Sequence, residues 1–170
     1  NPRNRARLPN RMDTRLVTEK REPVMLVEQI LPRACERLAV IDAAASIKDA
    51  AAMMAKPHIN LVVVCRDGAA IGVVTKMDIV VEISRGAGFD LGAPVQTVMT
   101  RDVAYCRKSD ALTDIWQTMK AREIQSVPVV DDKHMPIGIL YARDALQCLL
   151  QEVETDDELL RDFISGVGYR

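Results

Sequence analysis

The sequence predicts an α/β fold of two tandem units, each running strand, helix, strand, strand, helix, packed together by pseudo-two-fold symmetry. Three observations predict it. The chain repeats itself, with Ile47, Met54 and Ile59 answered 65 residues later by Leu112, Met119 and Ile124. Helical apolar spacing recurs in both copies, and β-branched runs split by polar turns follow it. A unit of about 60 residues buries only a modest fraction of its surface, so the two copies should fold as one.

The elements follow in chain order. Residues 1 to 22 carry seven basic side chains (Arg3, Arg5, Arg7, Arg11, Arg15, Lys20, Arg21) against three acidic ones (Asp13, Glu19, Glu22), with almost no apolar periodicity until Val24. This is a basic tail, read as a solvated arm, with contact to nucleic acid or an acidic partner as its alternative. Residues 23 to 85 form the first unit with its leading segment. Its leading strand is Leu38-Ala39-Val40-Ile41. Its first helix shows Ile47, Ala50, Ala51 and Met54 at i, i+3, i+4 and i+7, with Ser46 as N-cap. Val62-Val63-Val64-Cys65 and Ile71-Gly72-Val73-Val74 read as hairpin strands around the turn Arg66-Asp67-Gly68. A second helix opens at Thr75-Lys76-Met77-Asp78.

Residues 86 to 94, with Gly86, Gly88 and Pro94, read as the linker, and residues 95 to 152 as the second unit. There the leading strand is Val103-Ala104-Tyr105-Cys106, and Leu112, Ile115, Trp116 and Met119 make the helix face, with Ser109 near its start. Val127-Pro128-Val129-Val130 and Ile137-Gly138-Ile139-Leu140 form the hairpin around Asp131-Asp132-Lys133-His134. The offset here grows by one residue, an insertion that a surface turn absorbs. The closing helix opens at Tyr141-Ala142-Arg143-Asp144. Residues 153 to 170 follow as an acidic extension whose Leu159-Leu160 and Phe163-Ile164 supply a further helical apolar face.

Composition narrows the function. With 23 Lys+Arg against 24 Asp+Glu, the net charge of −1 gives no global pull toward nucleic acid or membrane. The longest apolar runs fall far short of the roughly 20 residues a membrane helix needs, and no signal segment opens the chain, so a cytoplasmic location is expected. Cys35, Cys65, Cys106 and Cys148 show no CxxC or zinc-ligand spacing and are expected as free thiols. His58 and His134 have no ligand-pattern neighbours, so no metal site is expected. Walker, GxGxxG, GxSxG and HExxH patterns are absent, so an enzyme is not expected. Aromatic residues make up only 4%, which leaves no stacking platform for single-stranded nucleic acid.

Gly72-Val73-Val74-Thr75-Lys76-Met77-Asp78, joining a strand to a helix at the end of a repeated unit, resembles the Gly-x-x-Thr-x-x-Asp element of CBS domains, the regulatory modules named after cystathionine beta-synthase. Gly138-Ile139-Leu140-Tyr141-Ala142-Arg143-Asp144 keeps the Gly and Asp but puts Tyr in place of Thr or Ser. Met99 and the run Ser126 to Asp131 also match the family's wording, and the resemblance covers roughly residues 28 to 150. It implies a stand-alone Bateman module, a tandem CBS pair that senses AMP, ADP or ATP in its clefts, with S-adenosylmethionine as a further ligand. No cofactor is required. A flat homodimer and an unidentified regulated protein are the implied partners.

The residues themselves fit that chemistry. Gly72 lets backbone or ligand approach closely. Thr75 at a helix start offers a hydroxyl and free N–H groups to phosphate. Asp78, one turn along the same face, can accept both ribose hydroxyls. The bland reading makes Thr75 an N-cap and Asp78 a first-turn acid. The resemblance adds Lys76, and for the base in the first cleft Ile41, Asp42, Asn60 and Val62. In the second cleft it implies Lys108, Gln125, Ser126 and Pro128 with Tyr141, Arg143 and Asp144. Tyr141 could fill the phosphate region or stack on a ligand beside Arg143. The alternative function is a ligand-free CBS module for dimerisation or partner docking.

Overall fold

The computed structural model describes residues 24 to 86 and 88 to 151. The basic tail and the acidic extension after residue 151 lie outside the described residues. The elements are α1 (Leu31–Glu36), β1 (Val40–Asp42), α2 (Ile47–Met54), β2 (Leu61–Arg66), β3 (Ala69–Thr75), α3 (Lys76–Ser84), α4 (Leu112–Arg122), β4 (Ser126–Val130) and β5 (Pro136–Tyr141). Residues 142–151 are helical and close the second unit as α5. A short 3-10 turn, Val27–Ile30, precedes α1, and another, Val95–Thr97, opens the second unit. Helix α1 was not expected from the sequence.

In the first unit β1 pairs parallel with β2, and β2 antiparallel with β3. In the second unit β4 pairs antiparallel with β5. The expected leading strand of that unit contracts to one parallel bridge, Cys106 to Val129, the 65-residue counterpart of Ile41 to Val64. A single residue accounts for this correction. In the first unit Val63 N–H donates to the Ala39 carbonyl at 2.8 Å. The position equivalent to Val63 is Pro128, which has no N–H to give the equivalent Ala104 carbonyl. Residues 103–105 therefore run unpaired into the bridge.

Strand β2 is buried on both faces, which explains its unbroken apolar run. Val62 and Val64 pack with Ile47, Ala50 and Met54 of α2 and with Ile79 of α3. Leu61, Val63 and Cys65 face the other way and meet Val130 and Ile139 of the second unit. The two sheets thus share a central apolar layer with helices outside. Ser46 caps α2 as expected: its Oγ accepts from Asp49 N–H, while the Asp49 carboxylate accepts from Ser46. That hydroxyl hydrogen bond holds the Asp49 carboxyl below its ordinary value. Ser109 does not cap α4. The residue equivalent to Ser46 is Ala111, which occupies the cap position without a side-chain bond.

The leading segments are exchanged between units. Val27 N–H donates to Asp110 O and Leu112 N–H to Met25 O; their counterparts are Val95 N–H to Ala45 O and Ile47 N–H to Ala93 O. Val27, Ile30 and Ala34 accordingly sit in the second unit's core, and Val95 and Met99 in the first unit's. The glycine of each repeated motif is where this crossing passes closest. A Cβ on Gly72 would lie 2.7 Å from the Thr100 carbonyl oxygen, and one on Gly138 3.0 Å from the Ala34 backbone. The close approach expected at Gly72 is therefore made by the partner unit's backbone.

Candidate functional site

The exchange leaves two clefts on the seam between the units. The larger, about 620 Å³, is bounded by Thr75, Met77 and Asp78 at the start of α3, by Leu61 and Val73 of the sheet, and by Thr100, Asp102, Val103 and Ala104 with Arg122, Ile124 and Ser126 of the second unit. The smaller, about 310 Å³, is lined by Tyr141, Ala142 and Arg143, by Arg37, His58 and Asn60 of the first unit, and by Gln125. Each cleft is thus made by both units.

At the larger cleft, the motif residues lock each other. The Asp78 carboxylate Oδ2 accepts from Thr75 N–H and Thr75 Oγ1–H, both at 2.7 Å, and Thr75 Oγ1 accepts from Asp78 N–H at 3.3 Å. This is a capping box, the bland reading of the pair, and it holds both half-buried side chains at the cleft's edge. Lys76 N–H donates to the Asn60 carbonyl at 3.3 Å. Three of the four N–H groups from Thr75 to Asp78 are therefore occupied, so the start of α3 offers far less to a phosphate than a free helix end. Across the cleft, Ala104 contributes backbone released by Pro128.

At the smaller cleft, Asp144, implied by the resemblance as a ligand contact, is engaged by the protein itself. It is only 6% exposed, and Arg37 grips it with a 2.6 Å ion pair and a second contact at 3.4 Å. The same guanidinium lies 5.0 Å over the Tyr141 ring, and Tyr141 O–H donates to the His58 carbonyl at 3.4 Å. Tyr141 is thereby fixed between the units. Arg143 remains exposed beside it.

Several expected base-side residues line neither cleft. Ile41 and Val62 face the helices and are buried in the first unit's core. Pro128 is buried within β4, and its carbonyl accepts from Cys106 N–H. Asp42 turns its Oδ1 to Ala44 N–H at 2.8 Å, and Lys108 and Lys76 are exposed outside the lining. Asn60 and Ser126 change places relative to expectation. Asn60 lines the Tyr141 cleft, and Ser126 the Thr75 cleft. Arg37, Asp102 and Arg122 line the clefts without a motif to mark them, and His58 lines one although the sequence marks it for no ligand contact. Arg37 and Asp102 are the same position in the two repeats, just ahead of the leading strands, so the repeat itself carried that signal.

Among the described residues no group of three or more His, Cys, Asp and Glu side chains gathers as a metal site, and no helix is long and apolar enough to cross a membrane. Burial pushes the Cys65 thiol up, and raises the Cys106 thiol to about 12. Both are held as inert protonated thiols.

The CBS domain model matches residues 27–85 and 95–151. A homoserine O-acetyltransferase from Methanobrevibacter ruminantium is 34% identical over 101 residues, 59% of this chain but only 20% of that enzyme. The chain thus spans about a fifth of that relative's length. An uncharacterised 17.7 kDa protein from Acidianus ambivalens is 27% identical over 69% of this chain and 70% of its own. Among solved structures, the CBS domain pair of protein MJ0100, in complex with 5′-methylthioadenosine and S-adenosyl-L-methionine, superposes with a TM-score of 0.64 at 24% identity, over 76% of this chain and 99% of that one. The cytosolic domain of the Mg²⁺ channel MgtE, in complex with ATP, gives 0.57 at 19% identity, over 71% and 52%. CBS pairs are regulatory ligand-binding modules rather than catalytic domains. With both repeats matched by the family model and exchanged segments joining them into one body, the chain belongs to the CBS domain family as a tandem pair.

Proposed function

We propose that this chain is a regulatory module that senses an adenine nucleotide or related adenosyl ligand, among AMP, ADP, ATP and S-adenosylmethionine, in the clefts between its two repeats. The observation that carries the reading is the larger cleft. It sets a capped Thr75–Asp78 pair opposite the Ala104 backbone, which no strand pairs, with Leu61, Val73 and Ile124 as apolar walls. A flat base has apolar surfaces to lie on and backbone groups to bond, and Asp78 stands one helical turn away for ribose hydroxyls. The two structural neighbours described above bind ligands of this class.

The ligand would act by differential affinity for two arrangements of the repeats, typically worth about 1–3 kcal/mol. The chain would pair with a second copy through α3, whose Met77, Val80, Val81 and Ile83 are exposed. A regulated protein partner and a cytoplasmic location complete the reading. The docking alternative draws on the smaller cleft, where Arg37 already holds Asp144. Isothermal titration of protein freed of ligand with AMP, ADP, ATP and S-adenosylmethionine separates the two. Saturable binding that falls in Asp78→Ala supports the sensor, and silence with all four ligands supports the docking module.

A further inference from the structure

We propose that the Thr75–Asp78 cleft selects adenosyl ligands whose 5′ substituent carries no phosphate, a neutral thioether or a sulfonium, over the corresponding nucleotides. The inference rests on the adenosyl reading above and names the ligand class of that same site.

Three features of the cleft argue for it. Among the described residues its ionisable lining consists of two carboxylates, Asp78 and Asp102, against one guanidinium, Arg122, which stands 3.7 Å from Asp102. A phosphate entering there meets net negative charge, and the single cation already has a carboxylate partner. The start of α3, which would otherwise attract an anion, has its own carboxylate bonded across it: Asp78 takes Thr75 N–H, and Thr75 Oγ1 takes Asp78 N–H. The positions beside this start are apolar, with Met77 and Val73 in the lining, surfaces suited to a methylthio group. A sulfonium would gain from both carboxylates.

The smaller cleft makes the contrast. Arg37, Arg143 and His58 line it, and among the described residues no carboxylate does, because Asp144 is buried under Arg37. At the equivalent repeat position one cleft thus has Arg37 and the other Asp102, a reversal of charge that separates two sites of common ancestry in sequence.

The test is titration of the full chain, freed of ligand, with 5′-methylthioadenosine, S-adenosylmethionine, AMP and ATP as probes, repeated on Asp78→Ala and Asp102→Arg. Asp102 is 97% exposed in its side chain, so its replacement leaves folding intact. The expected result is binding of 5′-methylthioadenosine at least tenfold tighter than AMP, weakened at least tenfold in Asp78→Ala, with the preference narrowed at least threefold in Asp102→Arg. The sulfonium's advantage should shrink with added salt while the neutral thioether's affinity holds. Tighter binding of AMP or ATP, abolished by Asp78→Ala, overturns this inference and leaves the adenosyl reading standing. Binding of none of the four probes overturns both.

Discussion

Asp78 holds two roles at once. Its carboxylate completes the α3 capping box and also forms the rim of the larger cleft. Asp78→Ala should therefore weaken adenosyl ligand binding by about 1.5–3 kcal/mol, the scale of a charge-assisted hydrogen bond. It should also cost about 1 kcal/mol of stability through the lost cap, a cost that titration and urea unfolding of the same variant resolve separately. At Gly72 the constraint is steric. An added methyl would meet Thr100 O and Met99 Sδ at under 3 Å, so Gly72→Ala should destabilise by about 1–3 kcal/mol as overpacking does, measurable as a lower urea midpoint. Cys106 gives a pH signature. Its thiol ionises near 12 when folded, against an ordinary 9.0, so the folded chain holds the proton that the unfolded chain loses between those values. That contribution is complete below pH 9 and is lost as pH rises through the window. Cys106→Ala should flatten the alkaline decline in unfolding free energy.

At the scale of elements, much of the fold was legible because local chemistry and the repeat agreed. Ser46 marked the start of α2, and Thr75 with Asp78 the start of α3. The failures also trace to particular residues. Ser109 offered a hydroxyl, but the repeat put the cap at Ala111, and the repeat was right. Val103 to Cys106 had strand composition, yet pairing depended on a donor one strand away, which Pro128 removes. Pro128→Val tests this. The new amide should bond Ala104 O, become protected in hydrogen exchange, and extend the parallel pairing beyond Cys106, while ligand affinity at the larger cleft falls as that backbone is taken up. An unprotected amide at position 128 would contradict the explanation.

For the molecule as a whole, exchange of the leading segments decides where function sits. Val27 and Val95 carry equivalent hydrogen bonds to the opposite units, so each cleft draws lining from both repeats. A one-dimensional repeat groups residues by copy. The family resemblance, carried over copy by copy, placed Asn60 with Thr75 and Ser126 with Tyr141, and only the three-dimensional crossing reverses them. Arg37 shows the same crossing as an ion pair, reaching from the first unit to Asp144 of α5. Its loss would strand a buried carboxylate, so Arg37→Ala should destabilise the pair by about 1–3 kcal/mol, more than Arg143→Ala at an exposed position of the same cleft. Urea unfolding of the two variants makes the comparison.

The central claim, that an adenosyl ligand is sensed on the seam between the repeats, is tested most directly by hydrogen–deuterium exchange of the full chain with and without saturating ligand. Slowed exchange should appear together at the start of α3 and across residues 100–104, one segment from each repeat. No change with any adenosyl ligand, or slowing confined to the outer face of α3, would contradict it.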